Sequence, residues 1–85
     1  MIESNSAKEI TGTHLYSGGR LEIEAPRYGT GYLLVLRSAG DIYHTELTAR
    51  RLAGLHANWD RWRQHYGAGP FAKYAADQLD GWTKA

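Results

Sequence analysis

The stretch YLLVLRSAGDIYHTEL, residues 32–47, decides the fold of this chain. Its first part, YLLVLR, offers apolar side chains to both faces of a strand, a pattern typical of the central strand of a sheet. SAGD then turns the chain back into IYHTEL. Because Ala39 resists a positive φ and Gly40 accepts one, we predict a three-residue loop in which Gly40 is left-handed and a bulge follows.

The residues before this stretch predict further strands. RLEIEA, residues 20–25, alternates apolar and charged side chains and ends at Pro26, which is typical of a half-exposed strand. EITGTHLY, residues 9–16, is rich in β-branched residues and is followed by the turn signal SGGR. Together these segments predict an antiparallel β-meander of three to four strands.

The residues after it predict an amphipathic helix over residues 48–66. Thr48 is a suitable N-cap and Gly67 a suitable stop. Between them, five large apolar residues recur at spacings of three and four: Leu52, Leu55, Trp59, Trp62 and Tyr66. This stripe, including both tryptophans, is predicted to be buried.

A second helix is predicted to open at Pro70, since proline is favoured in the first turn. Its apolar stripe runs from Phe71 to Trp82, and Gly81 is the predicted cap. The fold class is therefore α+β, an antiparallel β-meander of three to four strands followed by two C-terminal helices packed on one face of the sheet. We expect residues 1–8 to form a flexible N-terminal arm and residues 9–85 a single domain.

Composition excludes several kinds of chemistry. The 85 residues include no cysteine, so disulfides, thiolate metal sites and thiol nucleophiles are absent. The sequence starts without the basic and apolar regions of a signal peptide, and its longest apolar run, Tyr32–Leu36, is too short to span a bilayer. We expect a cytoplasmic protein that has no membrane partner.

Positive charge is concentrated in the predicted first helix. Residues 48–66 carry four arginines against one acidic residue, Asp60, although the formal net charge of the whole chain is only +1. On a helical wheel Arg50, Arg61 and His65 lie opposite the apolar stripe, and Arg51 and Arg63 lie at its borders. This basic face predicts contact with phosphates or with an acidic protein surface, and the alternative is an ordinary solvated helix face.

The second face of the sheet is the other candidate surface. Two short helices cover one face, yet YLLVLR is apolar on both. Either Leu33 and Val35, with Arg37 beyond them, or the alternate residues of that strand should therefore point away from the helices. Such a surface is typical of a site for a protein partner or for a homodimer.

Catalytic and metal signals are weak. His44 and Glu46 share a strand face, and His14 could lie nearby on the first strand, a set that suggests metal binding or acid–base chemistry. Arg37 would complete a histidine–glutamate–arginine set of the kind used by small ribonucleases. Spacing fixes no third group beside His44 and Glu46, so we expect a polar sheet face, no catalytic residues, no metal and no cofactor.

Two resemblances concern layout and type. The order strand, glycine turn, strand and helix over residues 32–55 is similar to the DNA-binding domains of phage integrases, which read DNA from the sheet, where this chain has Glu22 and Glu24. In size and plainness the chain resembles the small inhibitors encoded by phages and mobile elements, anti-CRISPR proteins among them.

The expected function is thus that of a non-enzymatic protein-binding module. It would be a small inhibitor or accessory factor that blocks a larger protein or nucleoprotein assembly by occupying its surface. The alternative is a nucleic-acid-binding protein that uses the basic face of helix 48–66.

Overall fold

A five-stranded antiparallel sheet dominates the computed structural model, which describes residues 7, 9–67 and 69–85. The strands follow one another in chain order, and helices α1, Ala49–Tyr66, and α2, Phe71–Gln78, lie between the fourth and the fifth. The strands are β1 Gly12–Tyr16, β2 Gly19–Glu24, β3 Gly31–Ser38, β4 Asp41–Thr48 and β5 Thr83–Lys84. The predicted α+β class, a meander followed by two helices, is confirmed. The two-residue β5, which pairs with β4, was not predicted.

Strand register determines which side chains enter the core. Leu21 pairs with Leu36, and Ile23 pairs with Leu34, so these four side chains lie on the same face of the sheet. All four are buried, whereas Leu33 and Val35, which alternate with them along β3, are only half-buried. The helices therefore cover the face of Leu34 and Leu36. This answers the question that the sequence of β3 left open.

The hydrophobic core lies between that face and the two helices. Its buried members come from the sheet, from both helices and from the residues before β1: Ala7, Ile10, Leu21, Ile23, Leu34, Leu36, Leu47, Leu52, Phe71, Ala72, Ala75 and Leu79. Ala7 falls within the predicted N-terminal arm, whose other residues, 1–6 and 8, lie outside the described part of the chain. No described helix is long and apolar enough to cross a membrane.

Helix α1 has the predicted ends. The Thr48 hydroxyl accepts a hydrogen bond of 3.2 Å from the Arg51 amide, and left-handed Gly67 donates its amide to the Arg63 carbonyl at 2.9 Å. These bonds satisfy backbone groups that the helix itself leaves without partners.

The stripe of α1 is buried only in part. Leu52 is fully buried and Trp59 packs against the core, but Trp62 is 41% exposed, so its predicted burial is wrong. The physical reason is length: α1 spans about 27 Å and α2 only about 12 Å at 1.5 Å per residue. Near the end of α1, the Trp62 ring contacts Tyr74 of α2 with ring centroids 5.6 Å apart. The Tyr66 side chain lies outside the described part.

Helix α2 begins one residue after the predicted start and ends earlier than predicted. Pro70 directly precedes it, and the helix stops at Gln78, with the Leu79 amide donating to the Ala75 carbonyl at 3.1 Å. The predicted continuation to Trp82 with a cap at Gly81 is wrong. An extended backbone at Leu79 keeps that side chain in the core and directs the chain toward β5. Trp82 still packs against the core, but from this connection.

The turn between β3 and β4 also differs from the prediction. Ser38 pairs with Asp41, so only Ala39 and Gly40 form the loop, and their φ angles of 53° and 85° are those of a two-residue type I′ turn. A positive φ at alanine costs about 1–2 kcal/mol. The eight-pair ladder of β3 and β4, whose twist a type I′ turn matches, offsets this cost.

Candidate functional site

The exposed sheet face is the side of the sheet that neither α1 nor α2 covers. Its side chains form three rows across the strands, as the register defines them. The first row is Leu15, Arg20, Arg37 and Ile42; the second is Thr13, Glu22, Val35, His44 and Thr83; the third is Glu24, Leu33 and Glu46. The predicted partner-binding residues Leu33, Val35 and Arg37 all lie on this face.

Apolar groups are present in every row of the exposed sheet face. Leu15 is 70% exposed and Ile42 is 37% exposed, at the two ends of the first row. Val35 and Leu33, both half-buried, occupy the middle of the second and third rows. Apolar side chains grouped on one open surface are typical of interaction sites.

Arg20 and Arg37 are direct cross-strand neighbours, and one carboxylate serves both. The Nε atom of Arg37 donates to Oε1 of Glu22 at 3.4 Å, and the Nε atom of Arg20 lies 3.5 Å from Oε2. Like charges opposite each other destabilise a sheet, and Glu22 reduces that repulsion. Since Glu22 carries a single negative charge, the group of three retains one positive charge.

A depression of ≈ 410 Å³ lies at this end of the sheet, between the β1–β2 and β3–β4 turns. The whole first row lines it, together with residues of both turns: Gly18, Gly19, Ser38, Ala39, Gly40 and Asp41. Asp41 is itself paired with Lys84 at 3.5 Å. The two cations that line the depression, Arg20 and Arg37, share the carboxylate of Glu22.

The set of His14, His44 and Glu46 does not assemble. His44 and Glu46 lie on the exposed sheet face, but His14 pairs with Leu21 on the helix-covered face. There its Nε2 donates to the Ile10 carbonyl at 2.7 Å. The expectation that His14 lies beside the other two is wrong because alternation along β1 turns it to the core side. Within the described residues no cluster of three or more acidic, histidine or cysteine side chains could hold a metal ion.

The basic face of α1 is exposed as predicted, and its arginines form two separate pairs. Arg50 and Arg51 lie in the first turn, about 16 Å along the helix axis from Arg61 and Arg63. Arg61 donates to the Asn58 side chain. Arg63 pairs with Asp60 at 2.5 Å and lies 4.7 Å from the centre of the Trp59 ring. His65 is also exposed, in the last turn.

Four rings cluster where β1, α1 and α2 meet. The rings of His56 and Phe71 have centroids 5.1 Å apart, as do those of His56 and Trp59, and His14 contacts Phe71 at 5.6 Å. Burial in this cluster lowers the pKa of His56 below its ordinary value of 6.5; Asp60 opposes the shift, and His14 and Arg63 add to it.

This lowered pKa predicts a loss of stability in mild acid. Below about pH 6.5 the unfolded chain binds a proton at His56 more readily than the folded chain, so the free energy of unfolding falls as the pH drops. We expect the loss between about pH 7.5 and about pH 5.5, measured by chemical denaturation, to be smaller in a His56→Gln variant than in the wild type. Equal losses in the two proteins would contradict this assignment.

Sequence reasoning missed Leu15, Arg20 and Ile42 as members of the exposed surface. Their types are ordinary, and they come together only through the pairing of four strands. The sequence signal was the SGGR turn, which places Leu15 opposite Arg20 because the hairpin turns at Ser17 and Gly18 and pairs Tyr16 with Gly19. No protein-family model matches this chain, and comparisons with curated proteins and with solved structures find no significant match.

Proposed function

We propose that this chain is a non-enzymatic protein-binding module that docks on a larger protein through the exposed sheet face. The observation that carries the proposal is an apolar and charged sheet face that neither described helix covers, opposite a face on which Leu21, Leu34 and Leu36 are buried. In this account the protein is a small cytoplasmic inhibitor or accessory factor, of the kind that phages encode, and it acts by occupying its partner's surface.

The dimensions of the face suit such a role. The four neighbouring strands β1 to β4 have five, six, eight and eight residues. At about 3.3 Å per residue and about 4.8 Å between strands, they give a surface of about 430 Å². This is about half of the roughly 800 Å² per partner of a standard protein interface, and the turns at the edges of the face would supply further contact area. Burial of Leu15 and Ile42 would add a favourable apolar contribution of about 25 cal/mol per Å².

The test changes Val35, which lies at the centre of the exposed sheet face. Tagged wild-type protein and a Val35→Lys variant are compared for capture of partners in the native host, and binding is then measured with the purified partner. We expect Val35→Lys to weaken binding at least about tenfold, since it replaces an apolar side chain at the centre of the face by a longer, charged one that the interface would have to desolvate. An Ala57→Lys variant, on the exposed back of α1, serves as the matched control and is expected to bind like the wild type.

Circular dichroism and thermal unfolding establish that both variants keep the fold. Unchanged binding by Val35→Lys would contradict the proposal. So would a partner that binds Val35→Lys normally and loses affinity only in an Arg50→Glu/Arg61→Glu variant, because that partner would use the basic face of α1.

Nucleic-acid binding is a second candidate, supported by one observation. Trp62, 41% exposed, lies on α1 between the exposed Arg61 and Arg63, and aromatic and arginine side chains together bind single-stranded nucleic acids. If the four arginines of α1 contact phosphates, log affinity should fall with log salt at a slope of roughly −3 to −4. Fluorescence anisotropy with labelled DNA and RNA measures this slope, and absence of binding at low salt would contradict the candidate.

A further inference from the structure

The first row of the exposed sheet face, together with Glu22 beside it, forms what we name the arginine cleft: Leu15, Arg20, Glu22, Arg37 and Ile42. We propose that the arginine cleft binds an acidic side chain of the partner in an extended segment that has apolar residues two positions before and two positions after it. This inference rests on the proposed function and specifies the chemistry of the partner.

The N–H donors of the Arg20 and Arg37 guanidinium groups are the first argument. Within the described residues, Arg20 and Arg37 have Glu22 as their ion-pair partner, and in both cases it is engaged through Nε. The terminal nitrogens of two adjacent guanidinium groups therefore have no described partner. Because each guanidinium offers several N–H donors in a fixed planar arrangement that matches a carboxylate, the pair is suited to a second carboxylate beside Glu22.

The spacing of the row is the second argument. Leu15, Arg20, Arg37 and Ile42 occupy four successive strands, so about 14 Å separates the first from the last at about 4.8 Å per strand. A carboxylate placed between the arginines lies about 7 Å from each apolar end. In an extended peptide, side chains two positions apart point the same way and are separated by about 6.6 Å. An acidic residue with apolar neighbours at −2 and +2 therefore matches the row.

Charge distinguishes this occupant from two others. The exposed sheet face carries three glutamates, Glu22, Glu24 and Glu46, against two arginines, so it disfavours a polyphosphate backbone while still accepting a single carboxylate. If a second copy of the chain placed its third row on the cleft, the glutamates of that row would flank Leu33. That order is the reverse of what the cleft requires, since it would place acids against Leu15 and Ile42.

The test titrates the full-length ¹⁵N-labelled protein with the peptide acetyl-Leu-Ser-Glu-Ser-Leu-amide and with the same peptide carrying Gln in place of Glu. We expect the Glu peptide to shift the Nε–H resonances of Arg20 and Arg37 and to bind at least about tenfold more tightly than the Gln peptide. Arg37→Gln should remove this preference, while Arg61→Gln, on the basic face of α1, should retain it.

In the unbound protein Glu22 pairs with both arginines, so it competes with the acidic side chain of the peptide. A variant at Glu22 therefore distinguishes a binding role of the arginines from a structural one. Glu22→Gln leaves both guanidinium groups without their carboxylate, so we expect it to bind the Glu peptide more tightly than the wild type does. Weaker binding by Glu22→Gln, equal affinity for the two peptides, or shifts confined to α1 would each overturn the inference.

The outcomes also separate this inference from the proposed function. A protein partner that depends on Val35, together with no binding of the Glu peptide, would overturn the inference and leave the proposed function supported. Concentration-dependent dimerisation that Arg37→Gln abolishes, measured by analytical ultracentrifugation, would also overturn it, because the occupant of the cleft would then be a second copy.

Discussion

Replacement of Leu34 by alanine is expected to lower the free energy of unfolding by about 2–5 kcal/mol, the usual cost of truncating a fully buried leucine. The Leu34 side chain is 0% exposed, on the helix-covered face at the middle of β3. The variant loses burial of apolar surface and leaves a cavity that the surrounding core fills only in part. In a domain whose total stability is about 4–13 kcal/mol, such a loss is large.

The neighbouring leucine provides the matched control. Leu33 precedes Leu34 in sequence, has the same chemistry, and lies half-buried on the exposed sheet face. Leu33→Ala should therefore cost less than about 1.5 kcal/mol, because its surroundings in the isolated chain include solvent. Urea denaturation of the two variants measures the difference. Equal losses, or a larger loss for Leu33→Ala, would mean that the helices cover the other face of the sheet.

Replacement of Gly19 by alanine is expected to destabilise the fold by about 1–3 kcal/mol, the range for a group forced into occupied space. A Cβ atom at Gly19 would overlap the backbone carbonyl oxygen of Arg37 on the neighbouring strand. Because that oxygen belongs to the backbone, β2 and β3 would have to separate locally. The disturbed position lies beside Arg20 and Arg37, so the arginine cleft should lose its geometry as well.

Replacement of Gly54 by alanine should have the opposite effect on stability. Gly54 lies exposed in the interior of α1, and a Cβ atom there would meet nothing within 4 Å. Gly54→Ala should raise the free energy of unfolding by about 0.5–1 kcal/mol, since alanine loses less backbone entropy in a helix. Thermal unfolding of the two variants should therefore show shifts of opposite sign. A stable Gly19→Ala protein would contradict the close approach of the two strands.

The parts of the fold that could be predicted are those that local patterns determine. The alternation of Leu21 and Ile23 with charged residues identified β2, and Thr48 and Gly67 marked the ends of α1. In each case the physical cause lies within a few residues of the pattern: side-chain alternation in a strand, or hydrogen bonds to the free backbone groups at a helix end.

The parts that could not be predicted depend on distant contacts. Ala39 accepts a positive φ because eight residue pairs hold the β3–β4 hairpin, and nothing near Ala39 in sequence reveals that ladder. Trp62 is exposed because α2 is short. Trp82 leaves the helical pattern because β5 pairs with β4. Each of these outcomes is decided by tertiary structure, which overrides local preference.

The candidate site shows the same division. The sequence identified Leu33, Val35 and Arg37 as residues that could face away from the helices, and β3 places them together. It did not identify the arginine cleft, because Leu15, Arg20 and Ile42 come from three other strands. Only the register, which aligns Leu15 with Arg20, Arg20 with Arg37 and Arg37 with Ile42, brings them into one row.

The central claim is that the exposed sheet face docks on another protein, and site-specific photo-crosslinking in the native host tests it most directly. A photoreactive phenylalanine analogue is placed at Leu33, in the exposed sheet face, or at Ala57, on the exposed back of α1. The account predicts a discrete adduct with one other protein from position 33 and none from position 57. Adducts from position 57 alone, or adducts from position 33 that contain only a second copy of the chain or nucleic acid, would contradict it.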